Sequence, residues 1–261
     1  MLIKRFTKDI AKYFNFSIVS AKSQLKAEVA GSYLNWVWWI LDPLCFMLIY
    51  TFVFGYVFQS REPYFSVYIF IGLTMWNFFN KTVQGSVKLI RTNKHIVSKV
   101  YFPKFILLIS RIWVNGFKMM ISFGIVVLMM LFLQIPVTFN VFLFFPILII
   151  LGLVTFGISC FMMHYGVYVE DLSHVVSILT KMLFYVTGIF YNLEKRIPEF
   201  GAALNEYNPV AFLLSSMRQS LLYSETPSVP LLLIWFAVGI LLCAAGIRKI
   251  YREENNYVKS I

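Results

Sequence analysis

What this 261-residue sequence lacks most is charge: Asp, Glu, Lys and Arg together make up 13% of it, against roughly 25% in a soluble globular chain. There are too few polar residues to clothe a water-facing surface. A soluble fold is therefore excluded, although the length alone would accommodate one or two such domains. Acidic residues are scarcer still, 12 against 23 lysines and arginines, for a net charge of +11. That excess does not read as nucleic-acid binding, which needs a basic patch on a polar surface. Here the basic residues sit between long apolar runs, where they meet anionic headgroups. Cysteine is nearly absent. Cys45, Cys160 and Cys243 fall inside apolar stretches with no C-x-x-C pair, and read as small buried apolar residues. The basic segment 1–26 has no continuous apolar core followed by a small-residue cleavage site, so no cleavable signal is expected.

What is abundant is apolar: 59% of the chain is hydrophobic and 18% aromatic. A membrane-crossing helix needs about 20 mainly apolar residues. Six stretches fit, near 34–58, 65–79 (extendable to 87), 105–133, 139–163, 175–191 and 229–247. All are expected to be helices, because lipid offers no water to an open backbone. Lysines and arginines then set orientation. Lys4, Arg5, Lys8, Lys12, Lys22 and Lys26 precede the first span, and Arg61 alone follows it. Lys81, Lys88, Arg91, Lys94, Lys99 and Lys104 lie between the second and third. Residues 134–138 and the turn around Glu170 and Asp171 have none, and the tail has Arg248, Lys249, Arg252 and Lys259. The expectation is an all-α membrane protein with six transmembrane helices and both termini cytoplasmic. Residues 1–33 form a cytoplasmic amphipathic segment, 34–250 the transmembrane domain and 251–261 a cytoplasmic tail.

Three connecting pieces carry structure of their own. Ile3, Phe6, Ile10, Phe14 and Ser17 or Ile18 share one face of a helix, with lysines elsewhere, the pattern of an interfacial amphipathic helix. The inner loop 85–103 alternates Val87, Ile90 and Val97 with basic residues, which suggests a short helix beneath the membrane. On the outer side, 192–227 contains Pro198, Pro209 and a moderately apolar stretch, 210–223, that is too short to cross. It reads as re-entrant, with Arg218 as an outward-facing cation.

No catalytic constellation is present in the sequence: His95, His164 and His174 are scattered singly, and a lone histidine near a span end reads as interfacial. Gly152 and Gly157 have the separation of a phosphate loop, but Ile158 and Ser159 follow where Lys and Ser/Thr are required. Energy for any transport must come from an ion gradient or from a separate ATPase. Asp42, Lys118 and Lys181 lie within the expected spans, where a charge costs about 2.5–3.5 kcal/mol. Either Asp42 pairs with one lysine while the other snorkels, or a lysine meets an anionic ligand.

The order of short motifs is more specific than any one of them. Leu25-Lys26-Ala27-Glu28-Val29-Ala30-Gly31-Ser32-Tyr33-Leu34 is followed by Trp36, Leu41-Asp42-Pro43-Leu44 and Ile49-Tyr50-Thr51-Phe52-Val53-Phe54. Then come Gly72-Leu73-Thr74-Met75-Trp76-Asn77-Phe78-Phe79, Lys99-Val100-Tyr101-Phe102-Pro103-Lys104, Glu170-Asp171, Gly188-Ile189-Phe190-Tyr191, Asn208-Pro209 and Arg218. Over nearly the whole chain this resembles the type-2 ABC transporter permeases that export polysaccharides. It departs from the usual family pattern at Glu28, Asn35, Glu170 and Gly188. The resemblance implies a multi-pass permease of the bacterial cytoplasmic membrane, itself no enzyme. It would act as a homodimer with two cytoplasmic ATPase subunits that carry ATP and Mg, while this chain binds no cofactor. The implied cargo is a lipid-linked glycan such as O-antigen, teichoic acid or capsule.

A glycan pathway is expected to be lined by aromatic rings, which pack on the C–H face of a sugar. Tyr50, Trp76, Phe79, Phe184, Tyr185, Phe190 and Tyr191 are the candidates, although Tyr50 and Tyr185 fit lipid or core equally well. Trp36, Trp38 and Trp39 fit an interfacial belt. Lys118 and Lys181 are candidates for the lipid pyrophosphate, Lys88, Ile90, Arg91, His95 and Val97 for coupling to the ATPase, and Pro209 and Arg218 for an outer gate. Two alternatives remain open: a type-2 permease for a drug, peptide or other lipid, and a membrane-embedded lipid-modifying enzyme.

Overall fold

The computed structural model describes residues 2–31, 33–59 and 62–259, and they are helical nearly throughout. Ser32 and Arg61, and the side chains of Ile3 and Lys259, used above, lie outside the described residues. In chain order, α1 is Leu2–Val29 and α2 is Trp38–Tyr50, which runs on as a π-helix over Thr51–Val57. Next come α3 (Phe65–Val87), α4 (Leu89–Thr92), α5 (Lys94–Lys99) and α6 (Phe105–Phe132). A 3-10 turn at Phe139–Leu143 leads into α7 (Phe144–Tyr168), then α8 (Leu172–Val186). The short helices α9 (Leu193–Arg196), α10 (Gly201–Tyr207) and α11 (Pro209–Leu221) precede α12 (Val229–Lys259).

Among the described residues, four helical stretches are long and apolar enough to cross a bilayer: Asn35–Val57, Phe105–Phe132, Phe139–Tyr168 and Val229–Glu254. The other two expected spans differ in kind. Helix α3 has the length, 23 residues, but carries Asn77, Asn80, Lys81 and Gln84. Helix α8 is apolar but has only 15 residues. It was expected to reach Tyr191 and stops at Val186, where the chain turns through Gly188 at φ +69°, a conformation that L side chains resist. At the other extreme, α12 continues as helix through most of the segment expected to be a free tail.

Helix α3 is the axis of the bundle. Val67 to Met75 are all 4% exposed or less, enclosed by α6, α7 and α11. Beside it, α7 and α12 pack closely because both present glycine. A Cβ on Gly157 would lie 2.6 Å from Leu242 Cβ, and one on Gly246 would lie 2.6 Å from Cys160 Cβ. Small residues at such a crossing let the helices gain dispersion contacts, the main attraction left where the solvent is also apolar. Gly157, half of the rejected phosphate-loop spacing, thus serves as a packing residue.

The basic segments meet at one end of the bundle. Phe6 packs on Phe105 with ring centroids 5.1 Å apart, and Phe14 meets Trp113 at 6.2 Å. The apolar face of α1 thus lies along α6. There Arg5 donates to Glu254 Oε1 (2.6 Å), to which the Tyr101 hydroxyl also donates (2.9 Å), and the Tyr251 hydroxyl donates to Asp9 (2.6 Å). One polar cluster therefore ties α1, the α5–α6 connection and α12. The opposite end holds the remaining loops: Asn140 donates to the Ser224 carbonyl (2.8 Å), and Lys195 pairs with Glu62 at 2.8 Å.

Two side-chain expectations are corrected. Cys45 is exposed, because α2 turns that face outward, whereas Cys160 and Cys243 are buried as expected. His164 is no interfacial histidine. It is 4% exposed, and its Nδ1 lies 2.8 Å from the Tyr257 hydroxyl.

Candidate functional site

A cavity of about 790 Å³ lies between α2, α3, α6 and α8. Helix α2 contributes Trp38, Trp39, Asp42, Phe46 and Tyr50, and α3 contributes Trp76, Asn77, Asn80 and Lys81. Asn115 and Lys118 come from α6, and Lys181, Phe184 and Tyr185 from α8. Four of the seven aromatic pathway candidates and both candidate lysines are thereby brought to one space.

The aromatic wall follows from helical spacing. Phe46, Tyr50, Phe54 and Phe58 recur every four residues and share one face of α2, with neighbouring ring centroids 5.5–6.3 Å apart. Tyr50 and Phe54 meet Phe190 at 4.8 and 4.3 Å, Phe190 meets Phe184 at 5.2 Å, and Phe184 meets Trp76 at 5.6 Å. The cluster bridges α2, α3, α8 and the turn after α8. Phe79 and Phe190 are buried behind this wall rather than on the cavity surface. Tyr191 lies away from it on a second cavity, its hydroxyl donating to the Tyr185 carbonyl at 2.7 Å.

The charges are arranged differently from the expected Asp42–lysine pair. Lys118 makes an ion pair with Glu28 in the last turn of α1, and its ammonium lies 5.9 Å from the Trp39 ring. Among the described residues, Asp42, Lys81 and Lys181 line the cavity with no ion pair. Asp42 and Lys181 are exposed and face the cavity from α2 and α8.

A polar stripe on α3 went unread in the sequence. Asn77, Asn80, Lys81 and Gln84 recur at three- and four-residue steps on one face. Gln84 donates to Asn80 Oδ1 and Thr180 Oγ1, each at 2.7 Å, and Asn115 donates to Thr82 Oγ1 at 2.9 Å. These bonds join α3 to α8 and α6 beside the cavity. The signal was this periodicity of polar residues within an apolar helix.

At the basic end, the coupling candidates divide. Ile90 and Val97 are buried, packed with Leu89, Phe102 and Phe105. Arg91 is held inward, donating to Glu170 and to the Val167 carbonyl, both at 2.8 Å. Lys88 and His95 remain exposed, and so does Ile96, which was not singled out. Ile90 and Val97 hold the loop against the bundle, so a partner would meet its other face.

At the opposite end, Asn208 caps α11 by accepting from the Val210 and Ala211 amides (3.1 and 3.3 Å), with Pro209 in the first turn, where its missing donor costs nothing. Ten of the thirteen α11 residues are buried, so this helix is no solvated loop. Arg218 is the main correction: it is 4% exposed rather than outward-facing. Its guanidinium donates to the carbonyls of Tyr68, Gly188 and Ile189 at 3.1, 2.9 and 2.8 Å, and lies 3.4 Å from the Tyr68 ring centroid. Gly72 leaves the room, since a Cβ there would stand 2.6 Å from Arg218 Nη2. Arg218 thus locks α11 to the start of α3 and to the turn after α8. Nearby, Tyr223 donates to Glu62 at 3.0 Å. Burial first, and then the charge of Glu62, pushes its phenol well above the ordinary value.

Compared with known proteins, residues 18–222 match the family described as ABC-2 type transporter. The chain is 29% identical to the O-antigen export system permease protein RfbA of Myxococcus xanthus, over 96% of this chain and 97% of that one. It is 26% identical to the protein of that name from Klebsiella pneumoniae, over 90% of each. The polysialic acid transport protein KpsM of Escherichia coli is 25% identical over 85% of this chain and 87% of its own.

Proposed function

The chain belongs to the ABC-2 type transporter family, and from that premise we propose that it is the membrane subunit that exports a lipid-linked polysaccharide, of O-antigen type, across the bacterial cytoplasmic membrane. One observation carries the reading: a single cavity combines aromatic walls with lysines, in a chain that aligns nearly end to end with O-antigen export permeases. Rings offer sugars an apolar face, and the lysines offer the lipid diphosphate a counter-charge.

The topology is read as six spans, the four long apolar helices plus α3 and α8, with both termini on the cytoplasmic side. The gathering of the basic segments at one end of the bundle supports this under the positive-inside rule. Helices α2 and α8 flank the cavity and turn Leu48, Phe52, Leu179 and Met182 outward. A second copy of the chain closes the cavity across these faces. Energy comes from ATP bound with Mg on two separate ATPase subunits that engage the basic end through Lys88, His95 and Ile96. Helix α11, begun by Pro209 and locked by Arg218, serves as the outer gate.

The test uses a host whose own export permease is deleted and which retains its ATPase. Export should return with this chain and its cognate ATPase, and Lys118→Met and Lys181→Met should abolish it at normal protein levels. Export unaffected by either change would overturn the cavity assignment. At the basic end, Ile96→Asp should weaken ATPase pull-down without reducing the amount of permease. Ile90→Asp, which places a charge in the buried cluster, should remove folded protein altogether. For the gate, single cysteines along 211–223 should change their labelling from outside when ATP is supplied.

A further inference from the structure

Among the described residues, the only carboxylate in an ion pair with a cavity lysine comes from outside the bundle. Glu28 continues the α1 face that carries Phe6, Phe14, Ser17 and Ala21, of which the last two are buried. This face lies along α6 and ends at Lys118.

Glu28 meets Lys118 alone, while Lys81 and Lys181 line the same cavity with no ion pair among the described residues. The contact is also open to solvent: the Glu28 side chain is 45% exposed and that of Lys118 is 21% exposed. An ion pair so exposed contributes at most about fivefold to an equilibrium constant, so a stronger anion can displace it. A diphosphate brings more charge and more acceptor oxygens than a carboxylate.

We propose that Lys118 forms a phosphate or diphosphate site at the cavity, and that Glu28 occupies it in the resting protein as a stand-in for the ligand's anionic group. The inference rests on the reading of the cavity as an export pathway. It adds that the cargo's phosphorylated end enters by exchanging with the last turn of α1. Loading then frees that end of α1 from α6.

The test is a titration of the full chain in phosphatidylcholine nanodiscs, followed by tryptophan fluorescence because Trp39 lies beside Lys118. The probes are geranylgeranyl diphosphate, the uncharged geranylgeraniol and inorganic pyrophosphate. Glu28→Gln keeps the side-chain shape at a half-exposed position, and it should bind geranylgeranyl diphosphate about fivefold more tightly than the parent. Lys118→Met should weaken binding and cancel that gain in the double variant, while geranylgeraniol binds all forms alike. A gain with the lipid alone supports the proposal and assigns the site to a lipid headgroup. An equal gain with pyrophosphate supports it and assigns the site to free diphosphate. If Glu28→Gln gives no gain while Lys118→Met still weakens binding, the stand-in role falls and the cavity reading survives. If Lys118→Met leaves diphosphate binding unchanged, both fall.

Discussion

Helices α2 and α3 are neighbours, and they invert the rule that apolar residues are inside. The stretch Asn35–Val57 is strongly apolar, yet only 6% of its most apolar window is buried. It turns Leu48, Ile49, Phe52 and Tyr56 outward. Helix α3 carries amides, threonines and a lysine, yet it is more enclosed than the long apolar helices α6 and α7. In lipid the difference is physical. The solvent is as apolar as leucine, so an apolar face gains little from turning inward. A polar side chain gains a hydrogen-bond partner only by facing protein or a wet cavity. Hydropathy therefore marks which helices tolerate lipid, and embedded polar residues mark which one is central.

Three changes would break or sharpen that contrast. The largest effect is expected at Arg218, which holds the start of α3. Arg218→Met leaves the Gly188 and Ile189 carbonyls without their donor, at about 1–3 kcal/mol each. Unfolding in detergent should be easier by about 2–6 kcal/mol, and a shift under 1 kcal/mol would mean that α3 is not pinned there. Next is a matched pair. Met75→Ala at the centre of α3 should cost about 2–5 kcal/mol, whereas Ile49→Ala on the outer face of α2 should stay within about 0.5 kcal/mol. Equal losses measured by the same denaturation would erase the difference between the helices. The smallest effect is the Asn115–Thr82 bond beside the cavity. A double-mutant cycle with Asn115→Ala and Thr82→Ala should return a coupling of about 0.6 kcal/mol, and zero coupling would remove that bond from the account of why α3 is central.

Much of the candidate site was legible because side-chain spacing on a helix is a one-dimensional property. Tyr50, Phe184 and Tyr185 lie on the aromatic wall where a sugar pathway was expected, and Lys118 and Lys181 line the same cavity. What sequence reasoning missed depends on direction and on distant partners. Ile90 and Val97 are apolar residues on a basic loop, and nothing local distinguishes a docking face from a packing face. The structure buries both and exposes Ile96. Arg218 reads as exposed because arginine usually is. Its burial depends on carbonyls at residues 68, 188 and 189, contributed by two other segments. Glu28 was visible only as a departure from a family pattern, and its partner is 90 residues away.

By itself the sequence determined that this is a helical membrane protein with basic and charge-poor connections in alternation, because those properties are sums over neighbouring residues and lipid admits few other backbones. It also determined which aromatic and cationic residues were available for the proposed cargo. Only the tertiary structure decided which helix is central, that α8 stops at Val186, and that Lys118 faces Glu28 rather than Asp42. In a solvent as apolar as the protein interior, hydropathy does not choose among helix faces. That choice falls to the few polar groups and to glycine contacts, whose partners lie far along the chain.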